Sequence, residues 1–472
     1  MTSLLSSYTN LPPVFFKDQN PEKVPHPTLL FFNHKLAQEL NFETSSWSDE
    51  DLAQIFSGNR LLENSRPIAL AYAGHQFGHF VPQLGDGRAL LIAEINNRDV
   101  QLKGSGRTFF SRRGDGKSAL GPVVREYIVS EAMHHLGIPT TRALAAVSTG
   151  EMVQRQTMQA AGVFTRVAKS HLRVGSFEYL KAQGDEESLK KLTDYAIDRL
   201  MPELGALEDK YLQFFRKVSR DYLSLIAQWM GVGFIHGVMN TDNSSISGET
   251  IDYGPCAFMD DFNFNQVFSS IDQNGRYRYS HQPHIGMWNL SSLANCLTGL
   301  VSVKNLEEEL SLLPSYFEDQ WLKVMGKKLG VLSISKEVKP LVESWLQYLQ
   351  KNQLDFTNSY LSLSALIGES NPEGKGFVVD EEFKKFMDLW RGQIQTQDET
   401  ETKKIMGRSN PIYIPRNHLV EKAIELSYQG NYSFAKELMS VLAHPYTLQE
   451  GKEEFSRSPG KTQNGYKTFC GT

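Results

Sequence analysis

The sequence predicts an α+β protein in which a small antiparallel β lobe with one key helix precedes a larger helical lobe. Two apolar stretches at 89–95 and 99–104 flank a polar turn at 96–98, which is the pattern of a β-hairpin. Further strand-like stretches follow, at 140–149, 152–157 and 162–170. After His171 the apolar residues recur at helical spacing, so we expect the chain to be largely helical from there.

These patterns divide the chain into four predicted parts. They are an N-terminal extension at 1–60, the β lobe at 61–170, the helical lobe at 171–448, and a flexible C-terminal tail at 449–472 that contains Cys470. The tail is expected to be loose because its sequence is polar.

Composition excludes several classes of protein. The 472 residues exceed what one simple core needs, and no apolar run approaches the roughly 20 residues of a membrane span. A formal charge of −5 argues against a dedicated nucleic-acid binder, which usually carries a basic domain. The three cysteines form neither a zinc pattern nor a disulfide framework, so we expect a cytoplasmic protein.

A polar, turn-rich stretch at 234–258 lies between a predicted apolar helix and an apolar strand. Its side chains include Asp242, Asn243 and Asp252. Asn243 and Asp252 offer hard oxygen ligands of the kind that Mg²⁺ takes together with water and substrate phosphates. Asp242 is then free to accept a proton or orient a nucleophile. An ordinary surface turn would have a similar composition, so the stretch alone leaves both interpretations open.

A basic loop follows the second strand of the predicted hairpin. The residues from Lys103 to Lys117 include five cations and one acid, which indicates an anion site. Two common nucleotide motifs fail here. A P-loop needs glycine where the chain has Ser111, and a dinucleotide fingerprint needs glycine where it has Phe109.

A helix at 121–136 is predicted after this loop, with Glu126 at the edge of its apolar stripe. A carboxylate in that position needs a partner, and Lys103 is the natural candidate. Before the hairpin, Gly85 and Gly87 enclose a tight turn whose bare backbone can approach a phosphate.

The order of these groups is similar to that of protein kinases. A strand lysine pairs with a helix glutamate, and a helical lobe then supplies an acid, an asparagine and a metal-binding aspartate. The base is displaced, because the usual position holds Val238 and the acid here, Asp242, directly precedes Asn243.

At these residues the chain closely resembles the selenoprotein O family, the kinase-like protein adenylyltransferases. The matching stretches include AYAGHQFGHFVPQLGDGRA, QLKGSGRTFFSRRGDGKSALG and HGVMNTDNSSISGETIDYGPCAFMDD. The resemblance spans most of residues 70–430 and implies a protein-kinase-like two-lobe fold. The nucleotide contacts that it implies are Gly85, Gly87, Arg88, Lys103, Asp115, Gly116, Arg166, Arg173 and Asp252.

The resemblance also implies the reaction and its cofactors. Asp242 matches the family's base, Asn243 and Asp252 its metal ligands, and Glu126 the partner of Lys103. ATP with Mg²⁺ or Mn²⁺ would bind with its α-phosphate facing the acceptor. AMP would then pass to Ser, Thr or Tyr hydroxyls of protein substrates. We expect no nucleic-acid or membrane partner.

The family's C-terminal cysteine or selenocysteine matches Cys470, which in some members bonds a cysteine in the segment after the metal-binding aspartate. Cys256 lies in that segment but nearer Asp252 than expected, and no cysteine stands near Phe268 and Ser269. A redox pair of Cys256 and Cys470 and a pair of independent thiols therefore both stay open.

Two other functions remain as alternatives to AMP transfer. The same metal site could serve ordinary phosphoryl transfer with the nucleotide reversed. A non-catalytic, nucleotide-sensing scaffold is the second alternative, but such a scaffold needs no complete set of Lys103, Glu126, Asn243 and Asp252.

Overall fold

An antiparallel sheet and a larger set of helices make up the protein. The computed structural model describes residues 4–369, 374, 376–460 and 465–469. Its strands are β1 (Phe16–Asp18), β2 (Thr28–Phe32), β3 (Ile68–Leu70), β4 (Gly74–Gln76), β5 (His79–Val81), β6 (Ala89–Ile95), β7 (Arg98–Lys103), β8 (Ser118–Ala119), β9 (Arg142–Gln154), β10 (Met158–Ala168), β11 (Phe234–Ile235) and β12 (Ala257–Phe258).

The main sheet has the order β1-β3-β6-β7-β10-β9-β2, with β8 paired to β10. All of its pairings are antiparallel. The first 60 residues supply both edge strands, since β1 pairs with β3 and β2 pairs with β9. This stretch therefore completes the sheet, and the boundary at residue 60 stays a prediction.

The hairpin of β6 and β7 is confirmed, with a shorter turn than expected. Arg98 pairs with Ile95, which leaves a two-residue turn at Asn96 and Asn97. Both asparagines have positive φ, 50° and 58°. Two successive positive φ values belong to the turn type that matches the twist of a hairpin, and asparagine tolerates them. Lys103 ends β7 between β6 and β10, in the middle of the sheet.

The prediction of separate strands at 140–149 and 152–157 is wrong. One long strand, β9, runs through both stretches and pairs with β10 as a hairpin. Gly150 lies inside this strand with φ of +76°. Glycine is needed at this position, because a Cβ there would lie 2.6 Å from His26 Cβ. A register shift between Ala160 and Gly162 absorbs the irregularity.

The helices dominate the chain after the sheet. They are α1 (His34–Glu39), α2 (Asp49–Phe56), α3 (Leu120–His135), α4 (Val174–Gln183), α5 (Glu186–Leu200), α6 (Lys210–Gly231), α7 (Gln282–Cys296), α8 (Val303–Lys328), α9 (Lys339–Asn352), α10 (Phe356–Ser364), α11 (Glu381–Ile394), α12 (Glu399–Ser409), α13 (Asn417–Tyr428) and α14 (Ser433–Leu442). Of the helices in the described ranges, none combines the length and the apolar character that crossing a membrane requires.

Helix α3 connects the sheet to the end of the chain. It packs on β9 and β10 and also contacts α13 and α14. Its buried residues Val124 and Ile128 share a hydrophobic cluster with Val420 and Leu438. The helix that carries Glu126 is therefore enclosed on two sides, which fixes its position relative to β7.

The C-terminal tail is not loose where the structure describes it. Phe455 and Thr468 are each only 1% exposed. The Thr468 amide donates to Phe268 O at 2.9 Å, and its hydroxyl donates to Pro255 O at 2.7 Å. A polar sequence suggested flexibility, but these polar groups are satisfied by the backbone of the segment after Asp252.

Candidate active site

A cavity of about 720 Å³ brings the predicted site residues together. Its walls include Gly85, Gly87, Arg88, Lys103, Asp115, Gly116, Arg166, Arg173, Asp242, Asn243 and Asp252. Among the residues that the structure describes, nine cationic side chains and four carboxylates line it. That excess of positive charge fits a polyanionic ligand, in agreement with the anion site that the basic loop predicts.

Asp252 is the electrostatic centre of the cavity. Its Oδ1 accepts from Lys103 Nζ at 2.8 Å and from Arg166 Nη1 at 2.7 Å. Its Oδ2 accepts from Arg173 Nη1 at 2.9 Å. Burial alone would raise the pKa of Asp252, but Arg166, Lys103 and Arg173 together hold that pKa well below its ordinary value. Asp252 is therefore a permanent anion surrounded by three cations.

The loop around Asp252 holds a backbone conformation that is unusual for this residue type. Asp252 has φ of +64°, in the left-handed region. His236 Nε2 lies 2.9 Å from Ile251 O, and the Gly254 amide donates to Asp252 O at 2.9 Å. These contacts on both sides hold the strained residue so that its carboxylate faces the cations.

The predicted pair of Lys103 and Glu126 is present. Lys103 Nζ donates to Glu126 Oε2 at 2.7 Å, and both residues are buried. Glu126 lies beneath the cavity wall, and its other oxygen is 3.5 Å from Arg166 Nη1. Glu126 thus supports two of the cations that contact Asp252. Pairing makes its burial tolerable, since an unpaired buried carboxylate would be costly.

Asp242 has a very different environment. It lies in a single turn of 3-10 helix at Thr241–Asn243 and is 8% exposed. Gln76 Nε2 reaches its Oδ2 at the long distance of 3.5 Å, and its Oδ1 has no hydrogen-bond partner in the described parts of the chain. Burial raises the pKa of Asp242 to about 6, against the lowering effect of Arg173. A carboxylate in this state is suited to accept a proton.

Asn243 faces the same cavity beside Asp252. Its Nδ2 donates to Val238 O at 2.9 Å, which leaves the amide oxygen free for another partner. In the described ranges no three His, Cys, Asp or Glu side chains converge as a metal-binding cage. Mg²⁺ does not need one, because it takes one or two protein oxygens and completes its shell with water and phosphates. The oxygens of Asn243 and Asp252 fit that donor set.

The glycine turn before β6 is shaped by packing. Gly85 has φ of +66°, and a Cβ there would lie 2.2 Å from the Phe110 ring. A Cβ at Gly87 would lie 3.1 Å from the backbone oxygen of Phe110. The two glycines therefore bring the turn against the basic loop, and both line the cavity with Arg88. Asp86, between them, is buried and accepts from Gln101 Nε2 at 2.8 Å.

The basic loop is anchored by a residue that the sequence did not reveal. Arg155, in the turn between β9 and β10, donates to Asp115 at 2.8 and 3.1 Å and to Lys117 O at 2.9 Å. It lines the cavity as well. Asp115 therefore acts first as a structural partner of Arg155. Gly116 is required beside it, since a Cβ would lie 2.1 Å from Gly106 O.

The structure describes Cys256, one of the two cysteines whose pairing the sequence leaves open. Cys470 lies outside the described residues. Cys256 is 1% exposed, and burial raises the pKa of its thiol to about 12. The thiolate is the species that exchanges disulfides, so Cys256 is poorly prepared for that reaction where it lies.

This cavity, with one carboxylate held by three cations and a second, desolvated carboxylate, fits the chemistry of an ATP-using transferase. Comparison with known proteins gives the same answer. A family model described as "Protein adenylyltransferase SelO" matches residues 2–443. The chain belongs to this family of protein adenylyltransferases, and it is a nucleotidyltransferase that takes ATP as substrate.

Close relatives match over their whole length. The chain is 46% identical to "Protein nucleotidyltransferase YdiU" of Bacillus cereus, over 99% of this chain and 97% of the relative. It is 45% identical to the protein of the same name from Alkaliphilus metalliredigens, over 100% of this chain and 98% of the relative. A third such relative, from Nitrosococcus oceani, is 46% identical.

Proposed function

We propose that this protein transfers AMP from ATP to Ser, Thr or Tyr hydroxyls of other proteins and releases pyrophosphate. One observation carries the proposal. A carboxylate held by three cations, Asp252, shares a cavity with a carboxylate that has almost no partners, Asp242. The first suits phosphate and metal chemistry, and the second suits removal of a proton from an acceptor.

We propose a protein-kinase-like, two-lobe arrangement as the frame for this chemistry. Its support is the ion pair between Lys103 at the end of a sheet strand and Glu126 on the helix behind it. In protein kinases such a pair places the lysine on the nucleotide phosphates. Here Lys103 also lines the cavity, so its ammonium can reach a bound phosphate while Glu126 holds it.

The triphosphate would lie along the cationic wall. Lys103, Arg166 and Arg173 would contact it at the Asp252 end, and the basic loop with Arg155 would contact it further along. Negative charge develops on the attacked phosphoryl group and on the departing pyrophosphate. Fixed cations in a cavity of low dielectric stabilise that charge without reorganising.

A divalent cation, Mg²⁺ or Mn²⁺, would be held by the side-chain oxygens of Asn243 and Asp252. When bound, it would neutralise phosphate charge and polarise a phosphoryl oxygen. Asp252 keeps capacity for it. Oδ1 already accepts two hydrogen bonds, whereas Oδ2 accepts one from Arg173 and has a lone pair left.

Asp242 would take the proton in the transfer step. The acceptor hydroxyl oxygen forms a bond to the α-phosphorus as the bond from that phosphorus to the pyrophosphate oxygen breaks. The hydroxyl proton moves to the Asp242 carboxylate, which lines the cavity. The products are an AMP ester on the acceptor protein and pyrophosphate.

The test uses ATP labelled at either the α- or the γ-phosphate, incubated with the protein and a nucleotide-depleted cell lysate. We expect α-label in protein, strongly reduced when Lys103→Met replaces the wild type. Mass spectrometry of the labelled peptides then shows whether AMP is on Ser, Thr or Tyr. Protein that retains γ-label alone would contradict AMP transfer and indicate phosphoryl transfer in its place.

A further inference from the structure

A small hairpin, separate from the main sheet, lies directly on the turn that carries Asp242. It consists of β4 and β5 and spans residues 74–81. The His75 amide donates to Thr241 Oγ1 at 2.7 Å, and the Phe77 amide donates to Asn240 Oδ1 at 3.1 Å. Backbone groups of the hairpin therefore bond side chains on the two residues immediately before Asp242.

Glu178 on α4 joins the hairpin to the same turn. Its Oε2 accepts from the Thr241 hydroxyl at 2.6 Å, and its Oε1 lies 2.7 Å from His75 Nδ1. Glu178 is 4% exposed and Thr241 is fully buried. Both carboxylate oxygens are thus used, and Glu178 or Thr241 would be left with an unsatisfied buried group if the other were removed.

Gly74 brings the hairpin against the Asp242 carboxylate itself. A Cβ at Gly74 would lie 2.5 Å from Asp242 Oδ1 and 2.9 Å from Asp242 Cβ. Gly74 is not among the residues with positive φ, so the backbone conformation does not require glycine. What requires it is the close approach to Asp242.

We propose that the hairpin at 74–81 and Glu178 form a clamp that holds Thr241 and thereby fixes the position of the Asp242 carboxylate. His75, Thr241 and Glu178 are positioning residues in this clamp. The proposal rests on the proposed function in one respect, since it takes Asp242 as the proton acceptor.

The turn that carries Asp242 needs support from other parts of the chain. A single turn of 3-10 helix has too few internal hydrogen bonds to hold a side chain rigidly. Asp242 Oδ1 has no partner of its own among the described residues, so its place is set by neighbours and backbone. A general base must lie within about 3 Å of its proton, and an error of about 1 Å costs on the order of 10²-fold in rate.

The first test compares Thr241→Val with Thr241→Ser. Valine keeps the shape and loses the hydroxyl, whereas serine keeps the hydroxyl. The measurement is incorporation of α-label into a fixed amount of lysate protein at varied ATP. We expect Thr241→Val to lower the maximal rate by about 10- to 100-fold. We expect its KM for ATP to stay within about twofold, because Lys103, Arg166 and Arg173 are untouched, and Thr241→Ser to stay near the wild type.

The second test adds a methyl group at the point of closest approach. Gly74→Ala should lower the maximal rate by about 10-fold or more, since the new Cβ displaces the Asp242 carboxylate. Gly407→Ala is the matched control, because nothing lies within 4 Å of its Cβ position. ATP binding and the unfolding midpoint are measured for every variant. If these measurements show that Thr241→Val is misfolded, the rate of Gly74→Ala tests the clamp.

The outcomes separate this proposal from the proposed function. Wild-type rates in both Thr241→Val and Gly74→Ala would overturn the clamp while AMP transfer stood. If the wild type transferred γ-phosphate, AMP transfer would fail, and the same variants would be compared in that reaction. If the wild type transferred neither AMP nor phosphate, hydrogen exchange of the backbone amides of residues 238–244 tests the clamp. Faster exchange in Thr241→Val supports the clamp, and unchanged exchange overturns it.

Discussion

The two carboxylates of the cavity, Asp252 and Asp242, stand ten residues apart in the chain and in opposite environments. Asp252 contacts three cations at 2.7 to 2.9 Å. In the described part of the chain, one side chain donates to the Asp242 carboxylate, and that is Gln76 at the long distance of 3.5 Å. The pKa of Asp252 is held well below its ordinary value, whereas the pKa of Asp242 is raised to about 6.

The difference shows how one cavity can give identical side chains separate tasks. Cations fix the charge of Asp252, so it stays an anion whatever the state of the ligand. Burial sets the charge of Asp242, so its protonation can change within the ordinary pH range. Pushing the pKa values of two acids apart in this way is how a site assigns an electrostatic role to one and a proton-transfer role to the other.

The largest expected effect is that of Asp252→Ala. We expect transfer to fall by about 10⁴-fold or more, because a metal ligand is lost and three buried cations lose their shared anion. Since breaking a buried ion pair costs roughly 3–5 kcal/mol, the free energy of unfolding should also fall. Label transfer and urea unfolding measure the two effects. Activity near that of the wild type would remove Asp252 from the metal site.

The next largest effect is expected for Asp242→Asn, which should lower the rate of transfer without changing ATP binding. We expect a rate loss of about 10³-fold with the affinity for ATP unchanged, because asparagine cannot accept the proton but leaves the cationic wall intact. Isothermal titration with ATP and label transfer provide the two readouts. Equal losses of affinity and rate would show that Asp242 belongs to the nucleotide-binding end of the cavity.

Lys103→Met and Glu126→Ala compare how much these two residues contribute to transfer at the end of the cavity that holds Asp252. Lys103→Met removes a cation that contacts Asp252 and lines the cavity, so we expect a rate loss of about 10²-fold. Glu126→Ala should cost about 10-fold, because Lys103 keeps its contact with Asp252. If Glu126→Ala were the more damaging variant with its fold preserved, this order would be wrong.

The sequence predicts well those features of the site whose residues are close together in the chain. Lys103 and Glu126 are separated by one loop, so strand and helix patterns suffice to pair them. The polar stretch at 96–98 predicts the hairpin, although the turn itself takes only Asn96 and Asn97. Arg166 and Arg173, in contrast, were expected at the site only through the family resemblance, because no local pattern shows that they converge on Asp252.

What the sequence could not reveal depends on contacts between distant segments. Arg155 reaches Asp115 across 40 positions, and His75 reaches Thr241 across 166. Helix periodicity gives the apolar face of α3 but does not say that α13 and α14 cover it. Such contacts are set by the packing of the whole chain, whereas sequence patterns report on neighbours within a few turns.

The smaller of the two expected effects on stability is a pH dependence that distinguishes the two carboxylates. An aspartate in the unfolded chain has a pKa of about 3.9, and Asp242 in the folded chain has one of about 6. At pH values between about 3.9 and 6, the folded state therefore holds a proton on Asp242 that the unfolded state has released. Stability from Asp242 is present below pH 4 and is lost as the pH rises through 6.

Asp242→Asn removes this titration, so its stability relative to the wild type should grow between pH 4.5 and 7 by roughly 2 kcal/mol. Urea unfolding with EDTA and without nucleotide measures it. Asp252→Asn is the matched control. Because the pKa of Asp252 is already below this range, its contribution is fully present throughout, and the difference from the wild type should stay constant. A flat profile for Asp242→Asn would mean that Asp242 remains charged on folding, and a sloping profile for Asp252→Asn would mean that the three cations do not hold its charge.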